Sequence, residues 1–386
     1  MTSRRYGRGG VARPRIAADA GLVPVAVLAL LLAVAVPGAA QESSWTLGGS
    51  LTQQAFAAAS ESGSSAGGSY GSATTLEATL RARGPVLRAE FSAEAALLAG
   101  ASAEAFAAAA ALPGGVPTDT LYSPGVLSNA ETVLAARVRT AFVKWTAEGF
   151  SVTAGRQIVN YGKGTAWSPV DLFTERDFSG LSVARRGSDA LRLTIPLGAL
   201  SLAEAVAAPA SDPAEGTYAL RAAGLVFGTL EGSLVGAWNG GADEWIGGGD
   251  LKFDLSWLSF HGDAAYAAPR GGGSGDLRAV LGFDTSFGDF VLGAEYYYNG
   301  SGAAGDPLFP GAHNAYAALS WSAADYHTLA FSALADLEAG LFAATLTWAW
   351  DLAQNGGLTS YLRLSNGQAG TESWTGQAGV QWEVKF

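Results

Sequence analysis

The chain has 386 residues, 49% hydrophobic and only 15% charged, with 52 glycines, one methionine and no cysteine. Without cysteine there is no disulfide framework and no thiolate metal site. A formal charge of −11 argues against nucleic acid as a partner, because phosphate recognition needs clustered bases.

The first residues have the layout of a cleaved signal peptide spanning 1–40. Arg4, Arg5, Arg8, Arg13 and Arg15 form a basic start, an apolar run from Gly21 to Val36 follows, and the small residues Gly38 and Ala40 precede Gln41. Its removal takes away five of 23 bases and one of 34 acids, leaving a domain 41–386 with a formal charge of −15.

Beyond Gln41 the sequence alternates. TTLEATLR sets Leu76, Ala78 and Leu80 against Thr75, Glu77, Thr79 and Arg81, and VLRAEFSAEA sets Leu87, Ala89, Phe91 and Ala93 against Arg88, Glu90, Ser92 and Glu94. Further on, DLKFDLSW places Leu251, Phe253, Leu255 and Trp257 opposite Lys252, Asp254 and Ser256. A helix would scatter these charges around its cylinder, whereas a strand gives two faces in two different surroundings.

Connections also alternate, between short ones such as 83–85, 147–149, 197–199 and 287–289 and long ones at 57–71, 99–130, 161–187, 209–215, 239–248, 269–275 and 300–312. Tight turns at one end and long loops at the other predict an all-β fold, a transmembrane antiparallel β-barrel of about 18 strands. Sixteen is the alternative, because the pattern blurs between 326 and 366. Ala-rich apolar faces suit lipid, which needs no jigsaw packing, better than a sandwich core. Trp238, Trp257, Tyr266, Tyr296, Tyr298, Trp321, Trp348, Trp350, Trp374 and Trp382 are candidates for interfacial girdles.

One stretch departs from this rhythm: GRQIVNYGKGTAWSPVDLFTERDFSGLSVARRGSDALRL, residues 155–193. It holds the bases Arg156, Lys163, Arg176, Arg185, Arg186 and Arg192 and the acids Asp171, Glu175, Asp177 and Asp189. A connection this long is no passive turn. The expected arrangement is a loop 161–187 that narrows a channel, with these ten residues as the candidate constriction charges and Arg156, Arg185 and Arg186 contributing to its field. Gly162–Lys163–Gly164 lacks the spacing of a phosphate-binding loop.

The stretch resembles a motif of outer-membrane porin-like proteins: GRQ, a strand, a G-x-G turn with an aromatic, then W-S-P-x-D-L-F. The matching residues are Gly155, Arg156, Gln157, Tyr161, Gly162, Gly164, Trp167, Ser168, Pro169, Asp171, Leu172 and Phe173, followed by an R-R-G-x-D-A-L-R-L run from Arg185 to Leu193. The resemblance implies passage of small hydrophilic solutes and names no particular one.

The three histidines, His261, His313 and His327, supply neither a clustered metal site nor a partner for a G-x-S-x-G elbow, so neither an enzyme nor a cofactor is expected. A barrel hydrolase is the weaker alternative to a channel. The stronger one is a surface adhesin or receptor using loops 57–71 and 99–130, whose only aromatic anchors are Tyr70, Phe106 and Tyr122.

The chain ends on a strand with Ala378, Val380, Trp382, Val384 and Phe386 on one face. A last strand closing on an aromatic resembles the assembly signal of bacterial outer-membrane proteins, which implies the barrel assembly machinery and outer-membrane lipid as partners. Monomeric and trimeric channels share this pattern.

Overall fold

The computed structural model describes residues 44–62, 65–111, 125–128, 131–174, 176–177, 184–185, 187–300, 311–366 and 373–386. The expected signal peptide lies outside them. In chain order the elements are β1 (Ser44–Ser62), β2 (Ser65–Arg83), β3 (Leu87–Gly100), α1 (Ala101–Ala111), β4 (Gly125–Ser128), β5 (Thr132–Ala147), β6 (Phe150–Gln157), β7 (Arg176–Asp177) and β8 (Ala184–Arg185). Next come β9 (Ser188–Gly198), β10 (Ser201–Ala208), β11 (Thr217–Val226), β12 (Leu230–Asn239), β13 (Glu244–Leu255), β14 (Leu258–Pro269) and β15 (Asp276–Phe287). Then follow β16 (Phe290–Asn299), β17 (His313–Ala324), β18 (His327–Asp336), β19 (Phe342–Ala353), β20 (Gly356–Asn366) and β21 (Ser373–Lys385).

Leaving aside the short β4, β7 and β8, 18 strands pair antiparallel with their chain neighbours. The sheet closes where β1 meets β21, in register from Ser50↔Lys385 to Ser62↔Ser373. Phe386 completes the seam: its N–H donates to Gly49 O at 3.0 Å and its carbonyl accepts from Gly49 N at 2.9 Å. Its ring lies over Gly49, where a Cβ would come within 2.7 Å of it.

The outward face is a band of exposed apolar side chains, including Leu220 (68%), Leu234 (74%) and Leu281 (64%) at mid-strand. Aromatics bound it at both ends. At the short-turn rim Trp145 packs on Phe150, and Phe287, Phe290 and Trp321 stack with centroids 5.3 and 5.6 Å apart. At the long-loop rim Trp238 packs on Trp245 at 4.9 Å, and His313 lies against Tyr296 and Tyr298. His327 lies against Trp348 and Trp350 at the short-turn rim. A closed sheet with such a belt is built to span a bilayer, since no backbone edge is left open to hydrocarbon.

Several expected connections differ. Residues 57–71 are mostly strand, because β1 and β2 stay in register to Ser62↔Ser65 and their Ala, Gly and Ser side chains hide the alternation. Region 239–248 shrinks to a turn at 240–243, with Gly247 and Gly248 lying inside β13. Loop 99–130 carries α1 and β4. The blurred stretch 326–366 resolves into β18, β19 and β20. Its lumen-side residues Ala330, Ser332, Ala343, Thr345 and Thr347 are small and neutral, so they contrast weakly with the apolar face.

Leu281→Arg puts a charge in the middle of the lipid band and is expected to cost about 2–4 kcal/mol of barrel stability. Thr345→Arg, on the lumen wall, should cost less than about 1 kcal/mol. Denaturant titration in detergent micelles compares the two, and equal costs would contradict the assignment of faces.

Candidate functional site

The chain leaves the wall at Gln157 and rejoins it at Ser188. A buried ion pair fixes the departure. The Arg156 side chain is 2% exposed, its Nη2 lies 2.5 Å from Asp189 Oδ2 and its Nε 3.1 Å from Oδ1, and Nη1 donates to the Val138 carbonyl at 3.2 Å. Gln157 Nε2 donates to the Ala190 carbonyl at 2.9 Å. A bidentate guanidinium–carboxylate pair with its other donors engaged is the arrangement that repays desolvation. Above this point β6 no longer covers β5, and β4 pairs with Val133–Ala136 instead.

Beyond Gln157 the loop turns into the lumen onto an apolar seat. Val159, Tyr161, Val170 and Phe173 are buried against Val206, Ala219, Val235, Ala237, Ile246, Ala265 and Ala267, all on the inner wall of β10–β14. Tyr161 and Phe173 meet edge to face at 5.5 Å, and the Arg221 guanidinium lies 5.0 Å from the Tyr161 ring centre. Burial, aided by the nearby Glu204 carboxylate, pushes the Tyr161 phenol above its ordinary range, so the ring enters the seat neutral. Gly248 makes the contact possible, since a Cβ there would come 2.9 Å from Val170 Cγ1.

At the loop tip two wall carboxylates take up backbone N–H groups. Asp263 accepts from Lys163 N at 2.9 Å and from Gly164 N at 3.2 Å. Glu295 accepts from Thr165 N, from Ala166 N at 2.8 Å and from Trp167 N at 3.4 Å. His261, itself 2% exposed, sits between Glu295 (Nε2 to Oε1, 2.9 Å) and Asp284 (Nδ1 to Oδ2, 3.2 Å). Gly162 adopts φ +77°, and any Cβ on it would collide with Ser168 Oγ and Asp263 Oδ2. Only glycine meets both demands. Trp167 stacks on Tyr297 at 5.3 Å.

The candidate residues therefore divide. Arg156 and Asp189 do not face lumen water: both are buried in the wall, where each neutralises the other. Lys163 Nζ pairs with Glu231 at 2.7 Å and Arg192 Nε with Glu204 at 2.7 Å, with both bases partly exposed. Asp171 accepts from Thr174 N at 3.3 Å. Arg176 and Asp177 form β7, in register with Arg185 and Ala184 of β8. Glu175 and Arg186 lie outside the described residues.

Two buried wall acids, Glu204 at 3% and Asp250 at 5% exposure, were not anticipated from sequence. The signal was a lone acid in an otherwise apolar strand, as in SLAEAVAA. Asp263 and Glu295 lie in stretches that read as strand, HGDAAYA and GAEYYY, and no local pattern marks them as anchors of the loop.

Glu295→Ala strips the carboxylate from three N–H groups and from His261. Charged hydrogen bonds of this kind are worth about 1.5–3 kcal/mol, so cleavage within 158–174 by added protease is expected to rise about tenfold or more. An unchanged rate in a folded barrel would show that this anchor is dispensable.

No protein-family model matches the chain, and no curated protein matches it in sequence. Solved structures do match. OccK5 (OpdH) of Pseudomonas aeruginosa aligns over 91% of this chain and 100% of its own, at 9% identity and a TM-score of 0.57. OccK2 (OpdF) of the same organism, crystallised with glucuronate, aligns over 91% and 100% at 10% identity and 0.54. The outer membrane protein opdK of Pseudomonas aeruginosa aligns over 88% and 99% at 7% identity and 0.53. This chain shares with these bacterial barrels one fold, a closed antiparallel β-barrel.

Proposed function

We propose that the chain is an outer-membrane channel for passive diffusion of small hydrophilic solutes, narrowed by the loop between β6 and β9. The observation that carries this reading is the built seat of that loop, which presses Val159, Tyr161, Val170 and Phe173 onto the inner wall. A loop meant to bind partners outside would gain nothing from burying Tyr161, Val170 and Phe173 against the inner wall. One barrel of the same fold was crystallised with glucuronate, a small hydrophilic solute.

Within this reading Arg156 and Asp189 set where the loop begins, Lys163 and Arg192 place partly exposed charge beside it, and Arg176, Asp177 and Arg185 are further constriction candidates. Asp171, Glu175 and Arg186 belong to the same proposed constriction. Residues 1–40 direct export and are then removed, and the strand ending at Phe386 is read by the assembly machinery.

The purified barrel in a planar bilayer is expected to give ohmic single-channel steps. Replacing residues 160–174 by a short Gly-Ser linker widens the bore and should raise the unit conductance about twofold or more. Folded barrels that stay silent, or a unit conductance indifferent to the loop, would defeat the proposal.

A further inference from the structure

A cavity of about 410 Å³ opens beside the loop tip, between Thr165 and the inner wall of β15–β20. Six hydroxyl-bearing side chains share its lining with aliphatic ones such as Ala318, Ala330 and Ala343. Among the described residues, the hydroxyls of Tyr316, Ser320, Ser332 and Thr345 make no hydrogen bond within the protein and are free to meet water or a solute. Free hydroxyls that both donate and accept suit a polyhydroxylated guest.

The charges on the cavity are unequal in reach. Glu295 is buried, and its two oxygens are occupied by Thr165, Ala166 and Trp167 N–H groups and by His261. Arg363, the one base among the lining residues described, is already engaged. The Asp284 carboxylate is 46% exposed, and His261 touches only its Oδ2. Gly293 hollows the wall in front of Asp284, since a Cβ there would come 2.8 Å from Oδ1. Two carboxylates around one imidazole leave this group net negative whichever form His261 takes.

Resting on the channel reading above, we infer that this cavity is a solute subsite for hydroxylated molecules bearing an ammonium group, of the size and chemistry of an amino sugar. The ammonium donates to Asp284, and the ring hydroxyls exchange hydrogen bonds with the Tyr316, Ser320, Ser332 and Thr345 side chains. A charge-assisted bond of this kind is stronger than a neutral one. A solute carboxylate at the same place meets like charge in a confined lumen, where fields are focused. The subsite discriminates by repulsion as well as by attraction.

The test is current interruption in planar bilayers with glucosamine, glucose and glucuronate as probes. Glucosamine is expected to block with an apparent affinity about tenfold above glucuronate, the ratio of one charged contact. Asp284→Asn should erase that tenfold advantage and leave the response to glucose unchanged. Ser332→Ala with Thr345→Val, which touches no charge, should weaken glucosamine and glucose alike by about threefold, and it keeps the test available if Asp284→Asn does not fold. Stronger block by glucuronate, or glucosamine block indifferent to both variants, would overturn the subsite while leaving the channel intact. Absence of current from the folded unmodified barrel would overturn the channel reading and the subsite together.

Discussion

Hydrocarbon offers no hydrogen bonds, and this one constraint dictates the rest of the molecule. A peptide group exposed to lipid without a partner costs several kcal/mol, so a sheet in a membrane must close on itself. The seam between β1 and β21 does so over thirteen residues in register, from Ser50↔Lys385 to Ser62↔Ser373. Closure then creates two faces with opposite demands, and period-two alternation follows from the pleat. The aromatic belts follow too, because rings with polar edges settle where hydrocarbon meets water.

The same rule governs the loop inside. A segment folded into a lumen and pressed against a wall hides its own peptide groups, which need partners as much as those of the strands do. Asp263 and Glu295 supply them at the tip, and the hydroxyls of Thr174, Ser168 and Ser188 donate to the Val159, Tyr161 and Phe173 carbonyls. The charges that stand out in the sequence of this loop therefore serve two purposes. Some hold the fold in place, and others stay exposed to water.

Legibility followed contrast. Strands such as TTLEATLR could be read because each face has its own chemistry, and the barrel class came with them. Where the inner face carries small neutral residues, as in β18 and β19, or both faces do, as in the upper parts of β1 and β2, alternation fades, and the pairing partner rather than the local sequence decides. The apolar seat was hidden for a related reason. Val235, Ala237, Ala265 and Ala267 look like any residues of an apolar strand, and only their position under the loop shows that they point inward. The motif around GRQ and WSPVDLF was visible, and its density of bases suggested a row of lumen charges. Burial decides otherwise for Arg156, whose partner Asp189 is brought beside it by strand pairing that no local pattern announces.

The small strand β4 has a consequence of its own. Once the chain turns inward after Gln157, the outer part of β5 loses its neighbour on one edge, while β3 still covers the other. Four residues borrowed from a different excursion of the chain, Gly125–Ser128, fill that vacancy against Val133–Ala136. The two excursions thereby share one strand: β6 covers β5 from Ala141 to Ala147, and β4 covers it from Val133 to Ala136. An insertion or deletion that displaces Gly125–Ser128 therefore strips the outer part of β5 of a pairing partner and leaves an open edge at the rim.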